Sequence, residues 1–277
     1  MNQPIGVSLA AESLGFVYPD GTRALSDVSL DIPAGARVAI IGQNGSGKST
    51  LVRHFNGLLR PTEGRVLVDG MPVGRRHVAE LARLVAIAFQ NPDRQIFAGK
   101  VRTEVAFGPR NIGHRGAELE RRVIRSLEQV GLADRAEANP YDLGFSERKL
   151  LGLASVAAME TPAIVLDEPT TGQDATGMRQ VQNLVAALSA EGRSVVAVSH
   201  DMSFVAESFE RVVVMGDGRV LLDGSPEDVF TESSWPVLES TFVEAPVASR
   251  LGARLGLGST PTAGAVVGAL RARPNGP

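Results

Sequence analysis

Apolar and polar residues alternate over Val7–Ala10 and again over Val28–Ile32. A period of two predicts half-buried strands, here an antiparallel layer turned at Pro19-Asp20-Gly21. The next segments are continuous apolar runs. Arg37–Ile41, Leu84–Phe89, Ala163–Leu166, Val195–Val198 and Arg211–Met215 are short and β-branched. Such runs predict strands buried on both faces. Val66–Val68 adds a strand that turns at Asp69-Gly70, and Val220–Leu222 returns on Val212–Val214 through Gly216-Asp217-Gly218. Helical spacing is clear at Met178–Leu188 and at Glu118–Val130, where Leu119, Val123, Leu127 and Val130 share one face. Strands alternating with helices predict an α/β sheet with helices on both faces. From Phe97 to Met159 the strands stop. Pro109, Gly113 and Gly116 predict breaks, and Lys149–Met159 a second helix, so this stretch reads as a helical insertion. Beyond about Thr231 the chain turns to Ser, Pro and Gly, with one helix expected near Ala263–Ala272.

One turn carries most of the chemistry. Between the strand Arg37–Ile41 and a helix beginning near Leu51 lies Gly42-Gln43-Asn44-Gly45-Ser46-Gly47-Lys48-Ser49-Thr50. It fits the phosphate-binding pattern G-x-x-x-x-G-K-[ST] in the strand–turn–helix context that pattern requires. The glycines let successive N–H groups face one hollow, and the helix N-terminus adds partial positive charge. Lys48 can then reach the β- and γ-phosphates, and Ser49 can offer its hydroxyl to Mg²⁺.

Three further strand ends point the same way, because ligands of open α/β sheets sit at the carboxyl ends of strands. Ala163–Leu166 runs into Asp167-Glu168-Pro169. Asp167 suits Mg²⁺, and Glu168 is placed to polarise an attacking water. Gln90 ends the strand Leu84–Phe89, where its amide can serve both Mg²⁺ and that water. His200 follows Ser194–Ser199 and can meet the γ-phosphate.

Composition narrows the class. The 277 residues are 43% hydrophobic and 21% charged, enough for a sizeable core in one large domain or two unequal ones. A net charge of −3, with both signs interspersed, gives no general attraction to nucleic acid. Cysteine is absent, which excludes disulfides and thiolate metal sites. No basic n-region with an apolar core opens the chain, and no apolar run approaches the roughly 18 residues that cross a bilayer. Membrane association is therefore expected through a partner.

Taken together, GQNGSGKST, Gln90, IVLDEPTTGQD and Val198-Ser199-His200-Asp201 resemble an ATP-binding-cassette (ABC) ATPase over residues 5–230, insertion 97–159 included. The resemblance implies a P-loop NTPase core with an antiparallel β subdomain and a helical insertion, followed by a short appendix at 231–277. It implies ATP with Mg²⁺, and Tyr18 as the aromatic that stacks on adenine, with Phe16 as second choice. It implies two such chains enclosing two ATP molecules, with Thr170–Asp174 crossing to the other chain.

A finer resemblance lies in Phe89–Phe97, Glu104–Pro109 and Ala245–Leu257, which are similar to the ATPases of energy-coupling factor (ECF) and cobalt/nickel importers. It implies uptake of a vitamin or metal ion at the cytoplasmic face of the cell membrane. A transmembrane scaffold would dock near Ile96 and Phe97, unless both are core residues under a loop. The family signature L-S-G-G-Q falls on Leu143-Gly144-Phe145-Ser146-Glu147. Ser146 and the helix dipole remain as donors to the opposing nucleotide, while Phe145 adds bulk and Glu147 negative charge. A heterodimer with a partner bearing an intact signature is favoured over a homodimer. A soluble cassette acting on nucleic acid or ribosomes is a rival, lacking here the coiled coil, zinc-binding cysteines or second cassette such proteins tend to carry. A catalytically weak regulatory subunit is another.

Overall fold

A computed structural model describes residues 5–273; the last four residues of the expected appendix, 274–277, lie outside it. Ten strands and eleven α-helices follow in chain order among the described residues: β1 Leu9–Val17, β2 Arg23–Ile32, β3 Arg37–Ile41, α1 Lys48–Phe55, β4 Glu63–Val68, β5 Met71–Pro72, α2 Val78–Leu81, β6 Val85–Ala88, α3 Val101–Asn111, α4 Gly116–Gln129, α5 Phe145–Ala157, β7 Ala163–Asp167, α6 Ala175–Ala190, β8 Ser194–Val198, α7 Met202–Ser208, β9 Arg211–Gly216, β10 Arg219–Gly224, α8 Pro226–Val229, α9 Trp235–Ser240, α10 Val247–Arg254 and α11 Ala263–Ala272.

Two sheets organise these elements. The order β10-β9-β3-β8-β7-β6 forms a six-stranded sheet, parallel except for the β9–β10 hairpin. The order β2-β1-β4-β5 forms an antiparallel sheet. Because side chains alternate across a strand, each core strand feeds two cores. Ala39, Ile41, Ile164, Leu166, Val195 and Ala197 join α3–α7 on one face. Val38, Ile40, Val165, Val196 and Val198 join α1 and the antiparallel sheet on the other. Burial on both faces explains the unbroken apolar runs. The second face is thus covered by α1, by Leu81 of the short α2 and by the antiparallel layer that the sequence predicts.

Other elements differ from the sequence reading for local reasons. β1 runs on to Val17, because register shifts between Ala11 and Phe16 interrupt the alternation without ending the strand. Pro109 does not break the chain. Val101, Val105 and Pro109 are buried at i, i+4, i+8, and α3 continues through the proline. α5 starts at Phe145 rather than Lys149, since Glu147 Oε2 accepts the Gly144 amide at 3.0 Å and sets the helix start. After Thr231 three α-helices form instead of one. Leu238, Val243 and Ala245 are buried on the main core, and Trp235 Nε1 donates to Phe230 O at 3.1 Å.

The insertion is tied back at its entrance by Glu104. This carboxylate is buried at 3% exposure and accepts the amides of Phe97 (3.0 Å) and Ala98 (2.8 Å). Glu104→Ala leaves both donors without their partner. Unfolding in urea should then show a loss on the order of 2 kcal/mol. An unchanged midpoint would mean that solvent replaces the carboxylate at no cost.

Candidate functional site

The phosphate loop closes on itself through Lys48. Its Nζ, 7% exposed as a residue, donates to Gly42 O (2.8 Å) and Gln43 O (2.7 Å), with Ser46 Oγ at 3.4 Å. Glycine is required at both ends of the turn. Gly42 has φ +142° and a Cβ there would lie 2.1 Å from Met215 O; Gly47 has φ +95° and would meet Ala24 O at 2.6 Å. The Ser46 carbonyl accepts the Gly218 amide at 3.2 Å, which seats the loop on the β9–β10 turn. The amides of the turn and the start of α1 therefore surround a fixed ammonium, an arrangement suited to polyphosphate.

The acids stand where β7 ends. Ser49 Oγ donates to Asp167 Oδ1 at 3.2 Å. Asp167 and Glu168 are 3% and 6% exposed. Glu168 has φ +54°, unusual for a side chain with Cβ, and is held there by its amide bond to Val198 O at 2.8 Å. His200 Nδ1 donates to Glu168 Oε2 at 2.6 Å, while most of the imidazole faces solvent.

Tyr18, Asn44, Gly45, Gly47, Lys48, Ser49, Thr50, Gln90 and Glu168 line a single hollow of about 370 Å³. Tyr18 is fixed by its hydroxyl, 3.0 Å from Thr50 Oγ1. Phe16 is buried behind it, edge-on at 4.8 Å, so Tyr18 is the aromatic facing the hollow. Gly42, Gln43, Gln90, Glu168 and His200 line an adjoining hollow of about 690 Å³, walled on its far side by Phe242–Val247. Ser46 lies beneath the loop at 1% exposure. Gln90 borders both hollows. Ser146 lines neither: its hydroxyl donates to Gln173 Oε1 at 2.5 Å. Of the expected docking pair, Ile96 is a core residue at 4% exposure, whereas Phe97 is 58% exposed and packs edge-on against Phe107 at 4.6 Å.

Comparison with known proteins settles the family. A family model described as ABC transporter matches residues 25–171. The chain belongs to the ABC transporter ATPases. It is 40% identical over 223 residues to the energy-coupling factor transporter ATP-binding protein EcfA of Methanocaldococcus jannaschii, covering 80% of each chain. To EcfA2 of Symbiobacterium thermophilum it is 43% identical over 251 residues, covering 88% of this chain and 86% of that protein. Among solved structures, cbiO1 of Clostridium perfringens, part of the transporter complex cbiONQ, superposes with a TM-score of 0.75 at 33% identity, over 92% of this chain and all of that one. A dimeric ATP-binding cassette solved with ADP and phosphate gives 0.72 at 27% identity, over 78% of this chain and 98% of that one. The fold is that of an ABC ATPase, and this enzyme hydrolyses ATP in the service of transport.

The donor chemistry of the ATPase suits a hard cation. Ser49, Asp167 and Gln90 offer hydroxyl, carboxylate and amide oxygens. Among the described residues no group of three His, Cys, Asp or Glu could hold a metal. An ion here would therefore be shared with phosphate oxygens and water.

Sequence reasoning missed Lys149. It lies on α5, is 3% exposed, and donates to the Gln90 carbonyl at 3.0 Å. Burial pushes its ammonium below the usual lysine value against the pull of Glu168 and Asp167, as it does for Lys48. A lysine in a helix gives no sequence signal that it points inward; only the fold brings it beneath the acids.

Burial raises the Asp167 carboxyl above its ordinary value, opposed by the Ser49 hydrogen bond and by Arg53, Lys149 and Lys48. The ionised form is therefore the costly one in the fold. Asp167→Asn should raise the melting temperature of the nucleotide-free ATPase at about pH 7.5. The advantage should shrink as pH falls through the raised value, where the native carboxyl also becomes neutral. A shift that stays constant as pH is lowered until the native carboxyl is protonated would show that desolvation of the charge is not the cause.

Proposed function

We propose that this ATPase is the energy-supplying subunit of an energy-coupling-factor type importer for a vitamin or metal ion. It would work as one half of a heterodimer on the cytoplasmic side of the membrane. One observation carries the chemical half: Lys48 and Glu168 line the hollow that Tyr18 borders, and His200 reaches Glu168 from the adjoining hollow. Lys48 would hold the β- and γ-phosphates, and Tyr18 the adenine. Glu168 would orient and deprotonate the attacking water while His200 fixes the carboxylate and contacts the γ-phosphate. Mg²⁺, held by Ser49, Gln90 and Asp167, would neutralise charge developing on the phosphates.

The transport half rests on likeness to relatives named as ECF ATPases and on the exposed Phe97–Phe107 pair beside the Gln90 loop. Among the described residues no helix is long and apolar enough to cross a membrane, so the reading assigns that task to a scaffold subunit. Its coupling helix would rest on the two rings, an apolar helix-in-groove contact. Phe97→Asp should abolish co-purification with the scaffold from membranes while ATP binding persists. Retained capture would remove Phe97 from the docking surface.

The heterodimer follows from asymmetry within the chain. Lys48, Asp167 and Glu168 are complete, but Leu143–Glu147 departs from L-S-G-G-Q at four positions. In a sandwich each site borrows its signature from the opposite chain, so the strong site would be the one built on this chain's Lys48. Glu168→Gln here should lower transport-linked hydrolysis by a factor on the order of 10². The equivalent change in the partner should cost less. Equal losses, or full activity from this chain alone, would overturn the assignment.

A further inference from the structure

The signature turn is not merely short of donors; the chain has occupied two of those that remain, the Ser146 hydroxyl and the Gly144 amide. Ser146 gives its single hydroxyl proton to Gln173 Oε1 at 2.5 Å, and Gln173 Nε2 returns a bond to Ser146 O at 3.3 Å. Gly177 makes room for this pair: a Cβ there would lie 1.9 Å from Gln173 Oε1 and 2.9 Å from Ser146 Oγ. The amide of Gly144, where an incoming anion would meet the start of α5, donates to Glu147 Oε2 at 3.0 Å. A carboxylate is therefore already seated at this helix N-terminus. One residue further on, the Phe145 ring packs over Gly172, whose Cβ would come within 2.5 Å of Phe145 Cε1. Phe145 and Ser146 thus both bear on the segment Thr170–Asp174 of their own chain.

We propose that Gln173 and Glu147 hold the signature turn closed, so that it does not accept the γ-phosphate of a nucleotide bound by the opposing subunit. This rests on the sandwich arrangement above and deepens it. The opposing site is silenced by contacts made within this chain, not only by the residues it lacks. A serine whose proton is donated cannot also donate to phosphate. A helix N-terminus already bearing its own carboxylate repels a second anion. Gln173 and Glu147 act through the turn and not on the reacting atoms, so both are positioning residues.

The two explanations part experimentally. If missing residues alone silence the turn, activity returns only when Gly144 and Phe145 are changed. If closure silences it, Glu147→Gln with Gln173→Leu should suffice, leaving Gly144, Phe145 and Ser146 in place. The full-length chain is compared with this double variant in two assays. ATP-driven self-association is read by sedimentation in a Glu168→Gln background, and steady-state hydrolysis with Glu168 intact. Both should rise about tenfold or more in the double variant, the scale expected when a preorganised donor is restored. Adding Ser146→Ala should take the gain away, since its freed hydroxyl is the donor. Glu147→Gln alone, nearly isosteric, should give part of the gain and guards against misfolding of the double variant. No gain in either variant overturns the closure. So does a parent chain that already self-associates and turns over as strongly as the double variant, and so does a gain that survives Ser146→Ala. Failure of the importer reading looks different: the unmodified chain captures no scaffold from membranes, a readout these assays do not use. A parent chain that binds no ATP by calorimetry would remove the nucleotide reading on which both depend.

Discussion

Two buried ammonium groups and two buried carboxylates face one another where β3 and β7 end. Lys48, Lys149, Asp167 and Glu168 are each at most 7% exposed. Withdrawing four charges from water is expensive unless they compensate one another. Their shifts record the balance: burial depresses both lysines and raises Asp167, and the opposite charges resist. A parallel sheet buried on both faces provides the rigid floor this needs, with the phosphate loop pinned between β3 and the β9–β10 turn. Such a cluster is close to neutral as a whole, yet its charges sit on different elements. A polyanion entering the loop competes with the loop carbonyls for Lys48, so binding must rearrange the hydrogen bonds that hold the loop at rest.

Lys149 makes this balance a mechanical matter as well. Around it the Gln90 loop and α5 are stitched by several bonds. Gln95 Nε2 donates to Gly152 O (2.9 Å), Gln95 Oε1 accepts the Phe89 amide (3.2 Å), and Arg148 pairs with Asp93 (3.1 Å). These bonds join the segment that follows Gln90 directly to the helix that opens with the signature turn. The exposed Phe97 follows directly on that stitched segment. The nucleotide pocket, the signature turn and the aromatic pair are consequently linked through contiguous packed and hydrogen-bonded groups.

What the sequence disclosed depended on how local the cause was. The loop Gly42–Thr50 was legible because its geometry needs glycine at fixed places, and the acids because they end an unmistakable apolar run. The buried strands were legible for the same reason. α3 was not, because Pro109 carries a strong break signal, while the burial that overrides it comes from residues far along the chain. Lys149 was invisible as a site residue, and Gln173, read only as part of the crossing segment Thr170–Asp174, gave no sign of its bond to Ser146. Each is an ordinary polar residue until the fold brings it to Gln90 or Ser146. After Thr231, α11 was legible at Ala263–Ala272, whereas α9 and α10 were hidden by composition, since Leu238, Val243 and Ala245 find their partners only on the main core.

The aromatic pair has a consequence for how the subunit is made. Phe97 and Phe107 are 58% and 46% exposed, and their edge-on packing keeps both rings at the surface rather than letting them fold inward. Sticky rings at the surface do not discriminate among partners. On the importer reading proposed above, a subunit made in excess of its scaffold would expose that patch to other copies and to unrelated chains. Stoichiometric synthesis would then become a solubility requirement, to which these two phenylalanines contribute.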